Sequence, residues 1–402
     1  MIKVFTFPYS FIIELLSRNL YFPILTEGKN VLKSILLSLT KNNQIEEISS
    51  HFCIAGEPES SGQFGNGNVN DTYLITCSDK DGKNVYTLQR INHFVFKDPV
   101  ALMNNFERVT SHLLSKSIEQ NHGKDVLTLI PTRDGKSFHL DVDGHYWRMT
   151  KFIAGGKSFD VPEHDGHAFE AAKAFGQFQA NLNDLGEPAL VETIPAFHNT
   201  RKRFDRFTEM VSRNPKNRLN EVEDLVELFL KHEKLADAIK RPEFPRRVVH
   251  NDTKLNNVLL HQTTGKAICV VDLDTVMPGC ALHDFGDLVR TAANAADEDE
   301  TDLSKVQFLP SRFEAIMDGY LLGCQGMLIE KEIKKLAIAP IAITYELALR
   351  FLTDFLEGDL YFKTHREGHN IERAKSQFTL MKSMLTFREE MEELIRTKRD
   401  LF

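Results

Sequence analysis

The sequence is poor in cysteine: Cys53, Cys77, Cys269, Cys280 and Cys324 are the only five, an odd number with no C-x-x-C spacing. That scatter excludes a disulfide framework and a cysteine zinc site, and it reads as reduced thiols in a cytoplasmic protein. Tryptophan occurs once, at Trp147, a position expected in the core. Long apolar runs are absent as well. The nearest, Val4 to Leu16, is broken by Pro8 and Glu14, is too short to span a bilayer and is followed by no A-x-A-like cleavage site. No basic block stands out against a net charge of -8 and a pI near 6.0, which argues against a nucleic-acid surface. Internal repeats and low-complexity tracts are also missing. A chain of 402 residues remains, enough for one two-lobed enzyme or two to three average domains.

What is present is concentrated between Val248 and Asp274. Val248 and Val249 lead into a polar loop, His250 to Asn256, and an apolar strand resumes at Val258 to Leu260. Asp252 and Asn257 stand five residues apart. That is the spacing of the kinase catalytic loop, in which the Asp accepts the proton of the attacking hydroxyl and the Asn helps hold Mg²⁺. A second apolar strand, Ala267 to Val271, is predicted to pair with Val258 to Leu260 across a Gly-containing turn. This return would bring Asp272 beside Asn257 as the other metal ligand. A surface turn rich in Asp and Asn is the plain alternative, but such a turn needs neither an Asn at that offset nor a second Asp on the return strand.

Residues 1–45 read as a non-catalytic extension, either a poorly ordered segment or sequence upstream of the native start, with an amphipathic helix over 31–52. Residues 46–155 then form a nucleotide-binding lobe. Phe64-Gly65-Asn66-Gly67-Asn68 is a glycine turn between strand-like pieces, followed by alternating strands at 69–76 and 85–90. Gly65, Gly67 and Asn68 would let the backbone approach ATP phosphates, although a plain hairpin has the same look. On the following strand Gln89 stands where kinases keep a lysine, with Arg90 beside it. A helix over 98–117 carries Glu107, which either pairs with that cation or is a solvated helix charge. Strands at 126–130, 137–140 and 146–153 complete a sheet of five or more strands. Main-chain groups from Lys151 to Ala154, Ile153 among them, are candidates for the adenine edge, and Gly155-Gly156 lets the chain cross over.

After residue 160 helical periodicity dominates, at 164–182, 199–212, 219–239, 283–293, 312–327, 331–356 and 371–396, with an acidic loop over 292–302 read as a solvated connection. The fold class is therefore α+β: a small lobe with an antiparallel sheet plus a helix, then a large, mainly helical lobe over 156–402. Asp284-Phe285-Gly286 spells the D-F-G of protein kinases but opens a helix on the wrong segment. Asp284 is predicted instead to accept backbone N–H groups beneath the catalytic loop.

With these residues placed, the chain resembles the aminoglycoside phosphotransferase and choline kinase superfamily, through His250, Asp252, Asn257, Asp272 and Asp274. The strings FGNGNVNDTY, YTLQRINHFVFKDP, HNDTKLNNVLL, DLDTVMPG and HDFGDLVR are similar to the N-acetylhexosamine 1-kinases, from about residue 45 to the C-terminus. The resemblance implies a protein-kinase-like two-lobed fold and ATP- and Mg²⁺-dependent transfer of the γ-phosphoryl group to the anomeric hydroxyl of GlcNAc or GalNAc. It implies that Asp252 is the base, that Asn257 and Asp272 hold Mg²⁺ and that Lys254 neutralises the transferred phosphoryl group. Asp274 becomes a supporting or second-metal residue. Asn70, Asp71, Arg350 and Tyr361 are implied at the sugar; from the residues alone, Arg350 reads rather as a helix salt bridge and Tyr361 rather as a core aromatic. Partners are then ATP and a small sugar, with no nucleic acid or membrane, in a monomer or weak homo-oligomer. The alternatives are another alcohol kinase of this fold, acting on a different hexose, an aminoglycoside or choline, or an inactive nucleotide-binding module.

Overall fold

Alternation of apolar residues builds the first half of the molecule into a six-stranded sheet. Strands β1 (Glu57–Gln63), β2 (Asp71–Asp79), β3 (Gly82–Ile91) and β6 (Tyr146–Lys151) lie side by side and antiparallel, and β4 (Leu129–Ile130) and β5 (His139–Leu140) both pair with β6. The computed structural model describes residues 44–65, 69–119 and 126–398. Gly67, Asn68 and nearly all of the 1–45 extension lie outside the described residues. One face of the sheet buries Tyr73, Ile75, Cys77, Tyr86, Leu88, Trp147 and Met149 with Ile45 and Ile48 of helical residues 44–50. Strand β1, EPESSGQ, has no periodicity to announce it, because it is an edge strand with almost every side chain exposed.

Helix α1 (Pro99–Glu119) buries Leu102, Phe106, Val109 and Leu113, the face its periodicity predicts. These side chains share a core with Phe178, Leu182, Leu273 and Val276, so α1 bridges the sheet to the helical half. Glu107 is exposed. Its neighbour Phe106 turns inward instead, and its ring lies 4.3 Å from the Arg148 guanidinium.

The helical half comprises α2 (Asp165–Leu182), α3 (Thr200–Arg213), α4 (Glu223–Lys231), α5 (Ala281–Ala292), α6 (Pro310–Cys324), α7 (Glu330–Ile333), α8 (Ile338–Glu357), α9 (His369–Thr386) and α10 (Arg388–Lys398). Three of the long helices predicted from periodicity are divided. Residues 219–239 form α4 flanked by 3-10 turns, 331–356 splits into α7 and α8, and 371–396 into α9 and α10. The second division has a local cause: Pro340 has no N–H and is tolerated only in the first turn of α8. Helix α8 is buried almost all round and forms the axis of this half. Helices α2 and α6 meet through Gly176, Gly319 and Gly323, where an added Cβ would collide with carbonyl oxygens of the facing helix. Among the described residues, no helix is long and apolar enough to cross a membrane.

Between the halves lie short strands that frame a loop. β8 (Arg247–Val249) pairs with β11 (Met277–Gly279), a pairing with no sequence signal, and β9 (Val258–His261) sits between β7 (Gly156–Lys157) and β10 (Ala267–Val270). The β9–β10 hairpin is antiparallel, with Val258 opposite Val270, as the sequence predicts.

Candidate active site

The loop from β8 to β9 is fastened from below by Asp284, in the first turn of α5. Its Oδ2 accepts the His250 N–H at 2.8 Å and its Oδ1 the Asn251 N–H at 2.7 Å, while its carbonyl accepts the Thr253 hydroxyl at 2.6 Å. Burial pushes the Asp284 carboxyl above its ordinary value against the pull of these donors. The literal D-F-G therefore anchors the loop, the role its position on a helix start predicts.

His250 joins the loop to β10: its Nε2 lies 2.9 Å from the Val271 carbonyl, and its Nδ1 accepts the Asp252 N–H at 3.3 Å. Asn257 Nδ2 donates to the Asp252 carbonyl at 2.8 Å and to its Oδ2 at 3.2 Å. Lys254 Nζ stands 3.4 Å from Asp252 Oδ1. Burial would raise the Asp252 carboxyl, but Lys254 and the further positive groups around it together outweigh burial and hold the group below the usual range. The Lys254 ammonium is raised in turn, by Asp252 first. Asp252 is thus an ionised carboxylate with a cation beside it.

Asp272 follows Val271, whose N–H donates to the Asn257 carbonyl at 2.9 Å, so Asp272 emerges next to Asn257. Its backbone is left-handed, with φ 59°, and its side chain is open to the cleft. Desolvation first, and then the negative charges of Asp274 and Asp252, push the carboxyl up to about 6. An Asp carboxylate and an Asn amide are oxygen donors suited to Mg²⁺, and like-charge crowding of this kind is what a divalent cation relieves.

Asp274 is different from Asp272. It is 3% exposed, and both oxygens are committed to the sheet: Oδ1 to Arg148 of β6, Oδ2 to the Asn70 amide at 2.5 Å. Its expected role as a second-metal residue has no free oxygen to support it. Asn70, expected at the sugar, also accepts the Asn92 N–H at 2.9 Å, so its amide is used at both ends. Gln89, at the strand-lysine position, accepts from Arg148 Nε at 2.9 Å and donates to Thr72 Oγ1 at 3.2 Å. Among the described residues of this lobe the buried cation is Arg148, one strand over from where the kinase pattern looks for it. Arg90 lies opposite Asp71 across β2–β3 and donates to Asp71 Oδ2 from Nε at 2.9 Å.

At the crossing between lobes, the Lys151 N–H donates to the Thr128 carbonyl at 2.8 Å and the Phe152 N–H to Val85 at 3.0 Å. The ladder ends there, and Ile153 follows, buried, outside it. Gly65, with φ 71°, opens the turn after β1, where an added Cβ would meet nothing within 4 Å.

On the far flank, Arg350 of α8 lies among three rings, 5.3 Å from Phe197, 5.5 Å from Tyr361 and 5.3 Å from Phe362. Its Nη2 is 3.5 Å from the Tyr361 hydroxyl, and Asp354 holds that turn by accepting the N–H groups of 360, 361 and 362 at 2.9, 2.8 and 3.0 Å. Arg203 of α3 stands nearby and donates to the Phe197 carbonyl at 3.2 Å. Burial, and then the charge of Arg350, lower its proton affinity. No motif points to Arg203; it stands on a helix face rich in charge.

The acidic loop is more than a solvated connection. Glu298 accepts from Arg290 at 2.8 Å, Arg290 also bonds Asp287 at 2.8 Å, and Asp299 lies 2.9 Å from His369. Arg290 and Lys254 hold the Glu298 carboxyl below its usual range despite burial. A cavity of about 80 Å³ lies among α1, α2 and β10, lined by Leu113, Phe178 and Val270 and by none of Asp252, Asp272 and Asp284.

Residues 63–314 match the model of a phosphotransferase enzyme family. The fold is similar to an aminoglycoside phosphotransferase from Alicyclobacillus acidocaldarius, at 12% identity and a TM-score of 0.52 over 87% of this chain and 96% of that one. It is also similar to a spectinomycin phosphotransferase solved with ADP and spectinomycin, at 13% identity and a TM-score of 0.51 over 88% and 98%. These matches identify a kinase-like fold, with an antiparallel sheet in the small lobe and helices in the large one.

Proposed function

The chain belongs to the phosphotransferase enzyme family, and from that premise we propose that it is an ATP- and Mg²⁺-dependent kinase for the anomeric hydroxyl of an N-acetylhexosamine, GlcNAc or GalNAc. The product would be the sugar 1-phosphate, in amino-sugar salvage. The observation that carries the reading is the Asp252 carboxylate, kept ionised with Lys254 at 3.4 Å and aligned by Asn257. Asp252 accepts the proton of the attacking hydroxyl, and Lys254 meets the charge on the transferred group. Asn257 and Asp272 are the residues that would hold Mg²⁺, which when bound neutralises phosphate oxygens. Arg90, half-buried and paired with Asp71, is the strand cation offered to the phosphates, and the main chain after Phe152 takes the adenine edge.

The acceptor side favours a sugar over a cationic alcohol. A choline site needs an open aromatic cage, whereas Phe197, Tyr361 and Phe362 already surround Arg350. An aminoglycoside polycation would meet Arg350 and Arg203. A neutral hexosamine suits this flank, since guanidinium and phenol groups bond hydroxyl and acetamido oxygens. A coupled ADP-release assay over GlcNAc, GalNAc, glucose, galactose, choline and kanamycin tests the proposal. Turnover is expected with the N-acetylhexosamines; ADP release with choline or kanamycin alone would overturn it.

A further inference from the structure

His198, just before α3, and Glu346, within α8, have side chains only 7% and 2% exposed. His198 Nδ1 lies 2.9 Å from Glu346 Oε1, and its Nε2 lies 2.9 Å from the carbonyl oxygen of Asn251. A carboxylate and a carbonyl only accept, so both ring nitrogens carry protons and the ring is an imidazolium. The other Glu346 oxygen accepts the Thr200 hydroxyl at 2.6 Å. His250, on the opposite side of the same peptide, is the counter-example: its Nδ1 receives the Asp252 N–H while its Nε2 faces a carbonyl, an arrangement that suits the neutral ring.

Asn251 is held on three sides. Its N–H goes to Asp284 Oδ1 at 2.7 Å, its carbonyl receives His198, and its side-chain Nδ2 donates to the Thr275 carbonyl at 2.9 Å. This grip maintains φ 66°, a left-handed backbone that a non-glycine residue keeps only where its surroundings impose it. The residue so held immediately precedes Asp252. A buried ion pair is a poor source of net stability, so its contact with the loop is the stronger account of its presence.

We propose that His198, charged by Glu346, is a positioning residue whose Nε2–H fixes the peptide between Asn251 and Asp252 and so aims the Asp252 carboxylate at the acceptor hydroxyl. The proposal rests on Asp252 being the base. The groups facing the ring are Glu346 from α8 and, from α5, Asp287 and the His283 ring at 5.0 Å. Burial disfavours the charged ring, but Glu346, the Asn251 carbonyl and Asp287 together outweigh it and hold the His198 pKa above its usual value.

Two substitutions separate positioning from filling space. A Gln side chain reaches as far as Nε2 and retains a donor to Asn251, whereas an Asn reaches only as far as Nδ1. In the full-length chain, with ATP and the best acceptor of the panel, His198→Asn should lower kcat about 10- to 100-fold with the KM for ATP within about threefold, and His198→Gln should restore most of the loss. Equal kcat in the two variants, or His198→Asn within about twofold of the native rate, overturns the proposal. A second measurement needs neither an acceptor nor a folded His198→Asn variant: nitrogen-15 spectra of the histidine-labelled native chain, with the His198 signal assigned by its loss in His198→Gln. The His198 imidazole is expected to stay doubly protonated to higher pH than an ordinary histidine, and a His198 that titrates with an ordinary pKa overturns the proposal. Normal turnover in Asp252→Asn would instead overturn the base assignment, and the two failures are distinct.

Discussion

Arg148 and Asp274 form an ion pair between the sheet and the loop that carries Asp272, with side chains only 1% and 2% exposed. Removing one partner leaves an uncompensated buried charge. Arg148→Met should therefore lower unfolding free energy by about 3–5 kcal/mol, read from urea denaturation. Replacing both, with Arg148→Met and Asp274→Leu together, should cost less than either single change. Additive losses would mean that the two charges do not depend on each other.

Asp252→Asn keeps the hydrogen bond from Asn257 possible but removes the proton acceptor. Turnover should fall by about 10²–10⁴-fold. ATP affinity, measured by calorimetry, should hold within about threefold, since the charge lost is on the acceptor side. Near-normal turnover would rule out Asp252 as the base.

Asp272→Ala should abolish transfer at every Mg²⁺ concentration tried, whereas native enzyme stripped with EDTA should recover fully on adding Mg²⁺. The check is the initial rate against free Mg²⁺. Recovery of the variant at high Mg²⁺ would assign Asp272 a lesser part.

Glu346 gives the fold a defined acid sensitivity. Burial raises its carboxyl, but the His198 imidazolium and the Thr200 hydroxyl outweigh that and hold it at about 2, against an ordinary 4.5. A depressed carboxyl contributes stability that is complete above its unfolded value and lost as pH falls through the folded one. Denaturant midpoints of the native chain should therefore drop between pH 4.5 and 2, and those of Glu346→Gln should drop less over the same window.

The glycine contact between α2 and α6 leaves no room for a side chain. Gly319→Ala places a methyl against the Phe169 carbonyl and should destabilise the fold by about 1–3 kcal/mol, with kcat of the folded fraction unchanged. Thermal unfolding followed by residual activity separates the two effects.

The loop from His250 to Asn257, the β9–β10 return and the anchoring part of Asp284 were legible because spacing alone ties them to a task. The small-lobe sheet was legible wherever one face is buried. β1 was not, because an exposed edge strand has no apolar period. The clamp of Asn70, Arg148 and Asp274 was hidden for a different reason: its members lie on three segments, Asn70 and Asp274 look like ligand-binding residues when read alone, and nothing in the sequence marks Arg148. The acidic run at 297–300 reads as solvated, yet Glu298 is tied to Arg290 eight residues back and Asp299 to His369 far along the chain. Long-range ion pairs leave no local pattern.

Asn251 and Asp272 share the left-handed backbone, one beside Asp252, the proposed base, and the other itself the proposed metal ligand. Only glycine, asparagine and aspartate occupy that region with ease. Mutational drift at both places is thus confined to a handful of codons before any chemistry is considered. A saturation library selected only for folded protein should already be depleted of β-branched residues at position 251, although that side chain never needs to touch a substrate. The invariance such a library would show at 251 would be a mark of geometry, and only at 272 would selection for turnover narrow the choice further.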